Sequence, residues 1–510
     1  VSAAPTHSID DLERLHGRAE LRRAARWAMW RAGDLRYLLH VGQLAALAAF
    51  FASTVRRFVL CTGRRWGKSR LMVVVCCLMV VHRILWRQGI EPPTWCPEWW
   101  RAIVMRTTDP ARVVYAAPTA GMVAEFIEPH MLHLASHAPP ELRPSQKDGS
   151  WVWPDGDRIV IKGCEDRKKA DRLRGAEADL GVADEGGFIP ILGYVVRSIM
   201  GPQLWETRGR MLLPSTPPES PDHPFVELLA EAEAAGGSYR ARTADAPHIT
   251  AEMLADAIED AGGVDSIAWQ REGEARVLVD PSHVVVPEWA AAEPVIVAEH
   301  KRPRHIAPCV IGDLGYEDLT VIAFGYYDFT ADLDVIEAEL VLRRATSAQI
   351  DAECQRIEAE LWGKLPVSRR RIDATPITRA DMARFGSDGS KDTASWTAVR
   401  KDDKSASINQ LRIRVKRQRL RVDPACATII AHARYGRWNK RRTDLERPDG
   451  AEHHYDGLDA LRYFVRDLDR HTNPYPRLEG VTADHHVGPN AGRPDEAQVL
   501  DRLLFPKRGR

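Results

Sequence analysis

Little in this chain ties it to an oxidising compartment, a membrane or a bulk electrostatic partner. Eight cysteines are scattered over 510 residues, and no two stand at Cys-x-x-Cys spacing. A zinc ribbon, a dithiol redox centre and a disulfide scaffold are therefore not indicated, and free thiols in a reducing cytoplasm are the expectation. Charge of either sign is not in excess: Lys plus Arg and Asp plus Glu number 71 each. Any contact with nucleic acid must come from local patches rather than a global field. Long hydrophobic runs are missing too. The longest, Leu71 to Val81, is short of a bilayer span and ends in His82 and Arg83, which predicts a buried helix. Residues 1–30 carry charges throughout, without the apolar stretch of a signal peptide. What is present, 44% hydrophobic and 28% charged residues at a mean hydropathy of −0.33, is globular composition. The length calls for two substantial domains.

The pattern along the chain changes several times. Residues 8–57 read as helices, beginning at an N-cap-like Ser8-Ile-Asp-Asp-Leu-Glu. From Arg57 short apolar strands follow at 58–61, 113–116, 158–162, 180–183 and 211–213, each trailed by a loop and usually a helix, the alternation of a parallel α/β sheet. Residues 217–300 lose it and read as a connector with a small helical subdomain around 250–261. Strand signals resume at 308–314, 320–327, 335–342 and 370–373, with a helix at 347–362, describing an α/β domain of different topology. The segment 405–415 fits helix or strand. The end, 471–510, reads as a Pro/Gly/Asp-rich tail with a helical patch near 497–504.

Chemistry is written at the strand ends. Thr62-Gly63-Arg64-Arg65-Trp66-Gly67-Lys68-Ser69 follows a strand and opens the apolar helix, the context of a phosphate-binding loop, although Thr62 stands where the first Gly usually does. Loop N–H groups would face phosphates, Lys68 would neutralise their oxygens and Ser69 would hold magnesium. The strand ending in Asp184-Glu185 supplies a magnesium-supporting carboxylate and, in Glu185, a base for the attacking water. Leu212-Leu213-Pro214-Ser215-Thr216-Pro217 is another apolar strand ending in hydroxyls. Gln43 reads either as an adenine-recognising amide or as a helix-surface residue. Arg64 is placed to reach a γ-phosphate, and Arg172 and Arg174 are weaker candidates to serve a neighbouring subunit.

In the second half Asp313 ends a strand, Asp373 ends another, and Asp456 and Asp459 lie on one face of a helix start. Two magnesium ions about 4 Å apart need several converging carboxylates, which Asp313, Asp373 and Asp456 would supply. Each alone also reads as a cap or turn Asp. A basic stretch (Arg412, Arg414, Lys416, Arg417, Arg419, Arg421, then Arg434, Arg437, Lys440, Arg441 and Arg442) reads as a phosphate-gripping surface or a solvated face. Trp438 reads as core or as a stacking group.

Together, Gln43, the loop 63–69, Ala116-Ala-Pro-Thr119, Leu173-Arg-Gly175, Asp184-Glu185, Ser215-Thr-Pro217 and the ordered Asp313, Asp373 and Asp456 resemble the large terminase subunits of tailed phages over about residues 35–470. The resemblance implies an N-terminal ASCE P-loop ATPase with a mainly parallel sheet, joined by a helical linker to a C-terminal RNase H-like nuclease. The corresponding boundaries are a lead-in at 1–35, the ATPase at 36–235, a linker at 236–300, the nuclease at 301–470 and a tail at 471–510. It further implies ATP-driven movement of double-stranded viral DNA into a procapsid, coupled through Ser215 and Thr216, and metal-dependent cutting of concatemers. Asp313, Asp373 and Asp456 would be the metal-binding acids, Asp459 a fourth, with magnesium, or manganese at the nuclease site. Implied partners are DNA, a portal protein, the small terminase subunit and further copies in a ring on the procapsid, with no membrane, in the host bacterial cytoplasm. Superfamily-two helicases or translocases without cutting activity share the signals of the first half, and a catalytically silent prophage scaffold is a third reading.

Overall fold

The computed structural model describes residues 9–290, 301–315, 318–385, 394–401, 403–439, 441–446 and 454–476. Two compact units divide the chain, one running to Asp280 and the other starting at Pro281.

In the first unit, helices α1 (Ile9–Arg31) and α2 (Val41–Ala52) precede an eight-stranded sheet. Its strands are β1 (Arg57–Thr62), β2 (Arg112–Ala117), β3 (Ser145–Lys147), β4 (Ser150–Val152), β5 (Arg158–Gly163), β6 (Leu180–Ala183), β7 (Arg210–Ser215) and β8 (Ser238–Ala241), in the order β3-β4-β5-β2-β6-β7-β1-β8. From β5 to β8 every pairing is parallel, while β3 and β4 add an antiparallel edge. The five expected strands fall where apolar runs placed them, because a parallel strand covered on both faces needs near-continuous apolar sequence. Phe58, Val59, Leu60 and Cys61 of β1 are all buried.

Helix α3 (Lys68–Arg87) is the buried helix that the apolar run predicts. Among the described helices it alone is long and apolar enough to cross a membrane, yet 83% of its apolar window is covered by protein. His82 and Arg83 are engaged inside: Arg83 binds Asp179 at 2.8 Å, and His82 accepts from the Trp100 indole at 2.9 Å while its Nε2 meets the Gly33 carbonyl at 2.7 Å. Burial pushes the His82 pKa down to about 4, so its ring is neutral at physiological pH.

The expected linker at 236–300 is corrected. Ser238–Ala241 is a sheet strand paired with β1, and the helices Ala251–Asp260 and Ile267–Glu272 belong to the first unit, which ends about 45 residues later than the sequence pattern suggests. An edge strand flanked by Gly236 and Gly237 carries no apolar run to reveal it. Residues 291–300, most of the tail and its helical patch near 497–504 lie outside the described residues.

The second unit holds a mixed sheet of β9 (Cys309–Asp313), β10 (Leu319–Asp328), β11 (Leu333–Arg343), β12 (Arg369–Asp373), β13 (Trp396–Ala398) and β14 (Leu420–Val422), ordered β13-β12-β9-β10-β11-β14. β9, β10 and β11 form an antiparallel meander, and β12, β13 and β14 join parallel to their neighbours. The helix Ser347–Trp362 appears where expected. The ambiguous 405–415 segment is helix, within Lys404–Lys416. Ile408, Leu411 and Val415 are buried and Ile413 is exposed, a spacing of three and four rather than two. Trp438 packs half-buried against the core.

Candidate active sites

Strands β6, β7 and β1 are adjacent and parallel, so their C-terminal ends meet at one sheet edge, the place where open α/β sheets bind ligands. That topology brings the phosphate-type loop, Asp184-Glu185 and Ser215-Thr216 together. The loop turns at Gly67 (φ +97°) and Arg65 (φ +64°) before α3 begins. Lys68 is buried, and its Nζ lies 3.3 Å from Glu185 Oε1. Glu185 itself holds φ +46°, a left-handed conformation costly for a non-glycine residue and concentrated at functional sites. The Ser215 hydroxyl donates to the backbone-strained Glu185 carboxylate at 3.4 Å, as does the Thr216 N–H, while Ser215 Oγ accepts from Gly187 N–H at 2.9 Å.

Asp184 is fully enclosed. Tyr115 donates to its Oδ2 at 2.7 Å, and Ser69 also hydrogen-bonds to it. Burial, followed by the Glu185 charge, pushes its pKa up to about 6; the Tyr115 and Ser69 hydrogen bonds and the Lys68 charge oppose the rise. A carboxyl with a raised pKa carries its proton below about pH 6, where it cannot support a cation. Any activity that needs the Asp184 carboxylate charged is therefore expected to have an acid limb near pH 6, and Tyr115→Phe, which removes a bond to the charged form, is expected to move that limb to higher pH. A pH–rate profile of both proteins checks this.

Other residues of the expected nucleotide site serve the loop from within. Trp66 is fully buried, packed edge-on against His40 at 5.4 Å and near Tyr239, so only its backbone is available to a phosphate. Thr62 closes β1 with a buried side chain. Gln43 is buried at the start of α2, its amide nitrogen donating to Gly67 O at 2.8 Å and its Oε1 accepting from His40 N at 3.0 Å. Arg64, expected at the γ-phosphate, pairs instead with Glu272 at 2.7 Å and is largely exposed, because its own N–H is anchored to the Glu272 carbonyl. Gly63 is pressed against the chain after β8: a Cβ there would stand 2.4 Å from Thr243 N and 2.6 Å from Gly273 O. Gly63→Ala is expected to destabilise the first unit by about 1–3 kcal/mol and weaken nucleotide binding, measured by thermal melting and titration with ADP. Of the weaker arginine candidates, Arg174 is held by Asp171 and Tyr194 at 2.7 and 2.8 Å.

In the second unit, β9 and β12 pair in parallel with Asp373 opposite Asp313. The helix Asp456–Asp467 begins against them, and the charges of Asp459, Asp373 and Asp456 all act on Asp313. Burial, added to by these three neighbours, holds the Asp313 carboxyl well above the usual range. Asp456 accepts from Leu319 N at 3.0 Å, and burial raises its pKa to about 6. The four expected acids are thus neighbours. They are also engaged: Lys401 Nζ and the Tyr463 hydroxyl bind Asp373 at 2.6 and 2.5 Å, and Arg462 binds Asp459 at 2.7 Å with Lys404 at 3.5 Å. Among the described residues no three His, Cys, Asp or Glu side chains converge as a ready metal-holding group. The donor set nonetheless suits a hard divalent cation, being all carboxylate and mutually repelling. Lysine ammonium groups reach two of the acids, and Lys401 is a mostly exposed side chain with room to leave.

The basic stretch is less available than its sequence suggests. Arg412 binds Glu288 at 2.6 Å, Arg414 binds Asp332 and Asp334, Arg437 binds Glu446 at 3.2 Å, and Arg442 donates to Ser282 O at 3.1 Å. Much of it is internal pairing rather than a phosphate-gripping row; Lys440 lies outside the described residues.

Sequence reasoning missed Tyr115, Tyr463, Lys401, Lys404 and Arg462. A tyrosine in an apolar strand or helix reads as core, and nothing local shows that its hydroxyl ends on a carboxylate.

No protein-family profile matches the chain. No curated protein matches it. Among solved structures it is similar to the large terminase of bacteriophage HK97, at 11% identity and a TM-score of 0.46 over 84% of this chain and 95% of that one. It is similar to the large terminase ATPase domain of Thermus phage P74-26, at 19% identity and 0.31 over 49% and 97%, and to the P22 large terminase nuclease domain, at 15% and 0.27 over 34% and 88%. At such values the geometry of the two sites carries the functional reading.

Proposed function

We propose that this chain is a terminase large subunit: an ATPase that moves double-stranded DNA, joined to a metal-dependent endonuclease. The observation that carries the reading is the coexistence, in separate units of one polypeptide, of a loop–acid–hydroxyl edge and a clustered aspartate set.

At the first site the loop N–H groups and Lys68 bind the β and γ phosphates of ATP, drawing Lys68 from its partner Glu185. The released Glu185 carboxylate takes the proton of the attacking water. Ser69 and Asp184 would hold magnesium, which supplies neutralisation of phosphoryl charge. Ser215 and Thr216, which touch the Glu185 carboxylate, sense its rearrangement after hydrolysis and pass it along β7 to the DNA-moving surface. Arg64 reaches the γ-phosphate on leaving Glu272.

At the second site Asp313, Asp373 and Asp456, with Asp459, would hold magnesium or manganese, whose chemistry there is activation of water and stabilisation of the leaving oxygen. The protein's own part is to orient the acids: Tyr463 on Asp373, Leu319 N–H on Asp456, Arg462 on Asp459. In this reading the partners are concatemeric viral DNA, a portal protein, a small terminase subunit and further copies of the chain in a ring on the procapsid, in the host cytoplasm.

The test is ATP hydrolysis and plasmid cutting by the purified full chain with and without magnesium. DNA-stimulated hydrolysis together with cation-dependent cutting is expected. Hydrolysis without any cutting would leave a translocase of the helicase type, and neither activity would leave a scaffold.

A further inference from the structure

Four successive carbonyls of the phosphate-type loop are each held by a side chain from outside it. Thr243 Oγ1 donates to Arg64 O at 2.8 Å, and the His248 ring nitrogen Nε2 meets Arg65 O at 3.1 Å. His40 Nε2 meets Trp66 O at 3.1 Å, and Gln43 Nε2 donates to Gly67 O at 2.8 Å. The four residues come from two places: His40 and Gln43 from the start of α2, Thr243 and His248 from the segment after β8. The two jaws approach each other, with the His40 and His248 rings 6.0 Å apart. The loop has given up side-chain space to receive them. A Cβ on Gly63 would stand 2.5 Å from Thr243 Oγ1, and one on Gly67 would stand 2.7 Å from Gln43 Nε2.

In a trans peptide the C=O and the following N–H point in opposite directions, and the chain contains no cis peptide bond among its described residues. Holding the carbonyls of residues 64–67 outward therefore turns the N–H groups of Arg65, Trp66, Gly67 and Lys68 the other way. Successive inward N–H groups make an anion-binding concavity. Left alone, a loop with two glycines would sample many arrangements and lose entropy on closing around a phosphate.

Resting on the ATP-site reading above, we propose that Thr243, His248, His40 and Gln43 act as a clasp that pre-sets the loop for a triphosphate, and that Gln43 works through the loop rather than by reading the base. Its amide is committed at both ends, to Gly67 O and to His40 N. Thr243 and His248 are positioning residues, each acting through the loop carbonyl that it holds.

A base-reading group and a loop-holding group differ in one respect: only the second matters to a ligand without a base. Affinities of the full chain for ATP, GTP and inorganic tripolyphosphate are to be measured for the wild type and for Thr243→Val, Thr243→Ser, His248→Ala and Gln43→Ala, with a thermal melt of each. Losing one net hydrogen bond to the loop is expected to weaken binding by about two- to ten-fold. The factor should be the same for all three ligands, with Thr243→Ser close to wild type. His248 is exposed, so His248→Ala decides the matter even if Thr243→Val melts early. Unchanged tripolyphosphate affinity in His248→Ala overturns the clasp, as does a Gln43→Ala loss confined to ATP. A wild-type chain that binds none of the three removes the ATP site itself, a failure distinct from either.

Discussion

Glu185→Gln is expected to lower ATP hydrolysis by about 10²- to 10⁴-fold while leaving DNA cutting within a small factor of wild type. The amide is the same size and keeps an oxygen for Ser215 Oγ–H and Thr216 N–H, which bond the carboxylate at 3.4 Å. What it loses is the capacity to accept a proton from water and the charge facing Lys68 at 3.3 Å. Removing that charge also removes one of the causes that raise the Asp184 pKa. Binding of ATP should therefore be kept or strengthened even as turnover collapses, a split that steady-state kinetics and nucleotide titration resolve. A fall in affinity with unchanged turnover would place Glu185 in binding rather than chemistry.

The second large effect belongs to the other unit. Asp373→Ala is expected to reduce cutting by about 10³-fold or more, on the scale of losing a stabilising group for the transition state, and to leave ATP hydrolysis intact. Asp313→Asn should act alike on cutting, with a stability signature of opposite sign. Asp313 and Asp456 have folded-state pKa values raised above their unfolded values. Their contribution is favourable at low pH and is lost as pH rises from about 4 through the folded-state values. Above that window the folded chain is strained by clustered charge, so Asp313→Asn should melt at the same or a higher temperature than wild type at pH 7.5 without divalent cation. Magnesium or manganese should raise the melting temperature of the wild type, and that rise should vanish in Asp313→Asn. A cation effect of equal size in the variant would place the cation elsewhere.

The central strands and the phosphate-type loop were legible in sequence because burial on both faces imposes apolar runs, and because loop, acids and hydroxyls occupy fixed places at strand ends. The strands that escaped are short, and all lie at or beside sheet edges: β3, β8, β13 and β14 close the two sheets and β4 adjoins β3. An edge strand such as Ser238-Tyr-Arg-Ala needs apolar residues on fewer sides and leaves little pattern. Missing β8 meant missing that residues 241–248 wall the nucleotide loop, and with them Thr243 and His248. Local spacing made the acids of the second unit legible one at a time, and only the family resemblance grouped them; the grouping itself rests on the Asp313–Asp373 register across β9 and β12, a long-range pairing. The basic run misled for a related reason. Arg414 and Arg412 look free in sequence, and only the fold brings Asp334 and Glu288 to them.

The same long-range pairing explains why the second site is the less finished of the two. Its acids are held by Lys401, Lys404, Arg462 and Tyr463, and a divalent cation must displace at least the Lys401 ammonium to reach Asp373. Lys401→Met is accordingly expected to leave the cation-induced rise in melting temperature in place and to lower the cation concentration at which it is half complete, read from a melting titration with manganese. A higher midpoint would make Lys401 a contributor to the cation site rather than its occupant.

Manganese-edge anomalous diffraction from crystals of the full chain, grown with manganese and with or without an ATP analogue, addresses the pairing of two sites most directly. A peak among Asp313, Asp373 and Asp456 in both crystals, and one beside Ser69 and Asp184 only with the analogue, is the predicted result. No peak at the three aspartates in either crystal would contradict it.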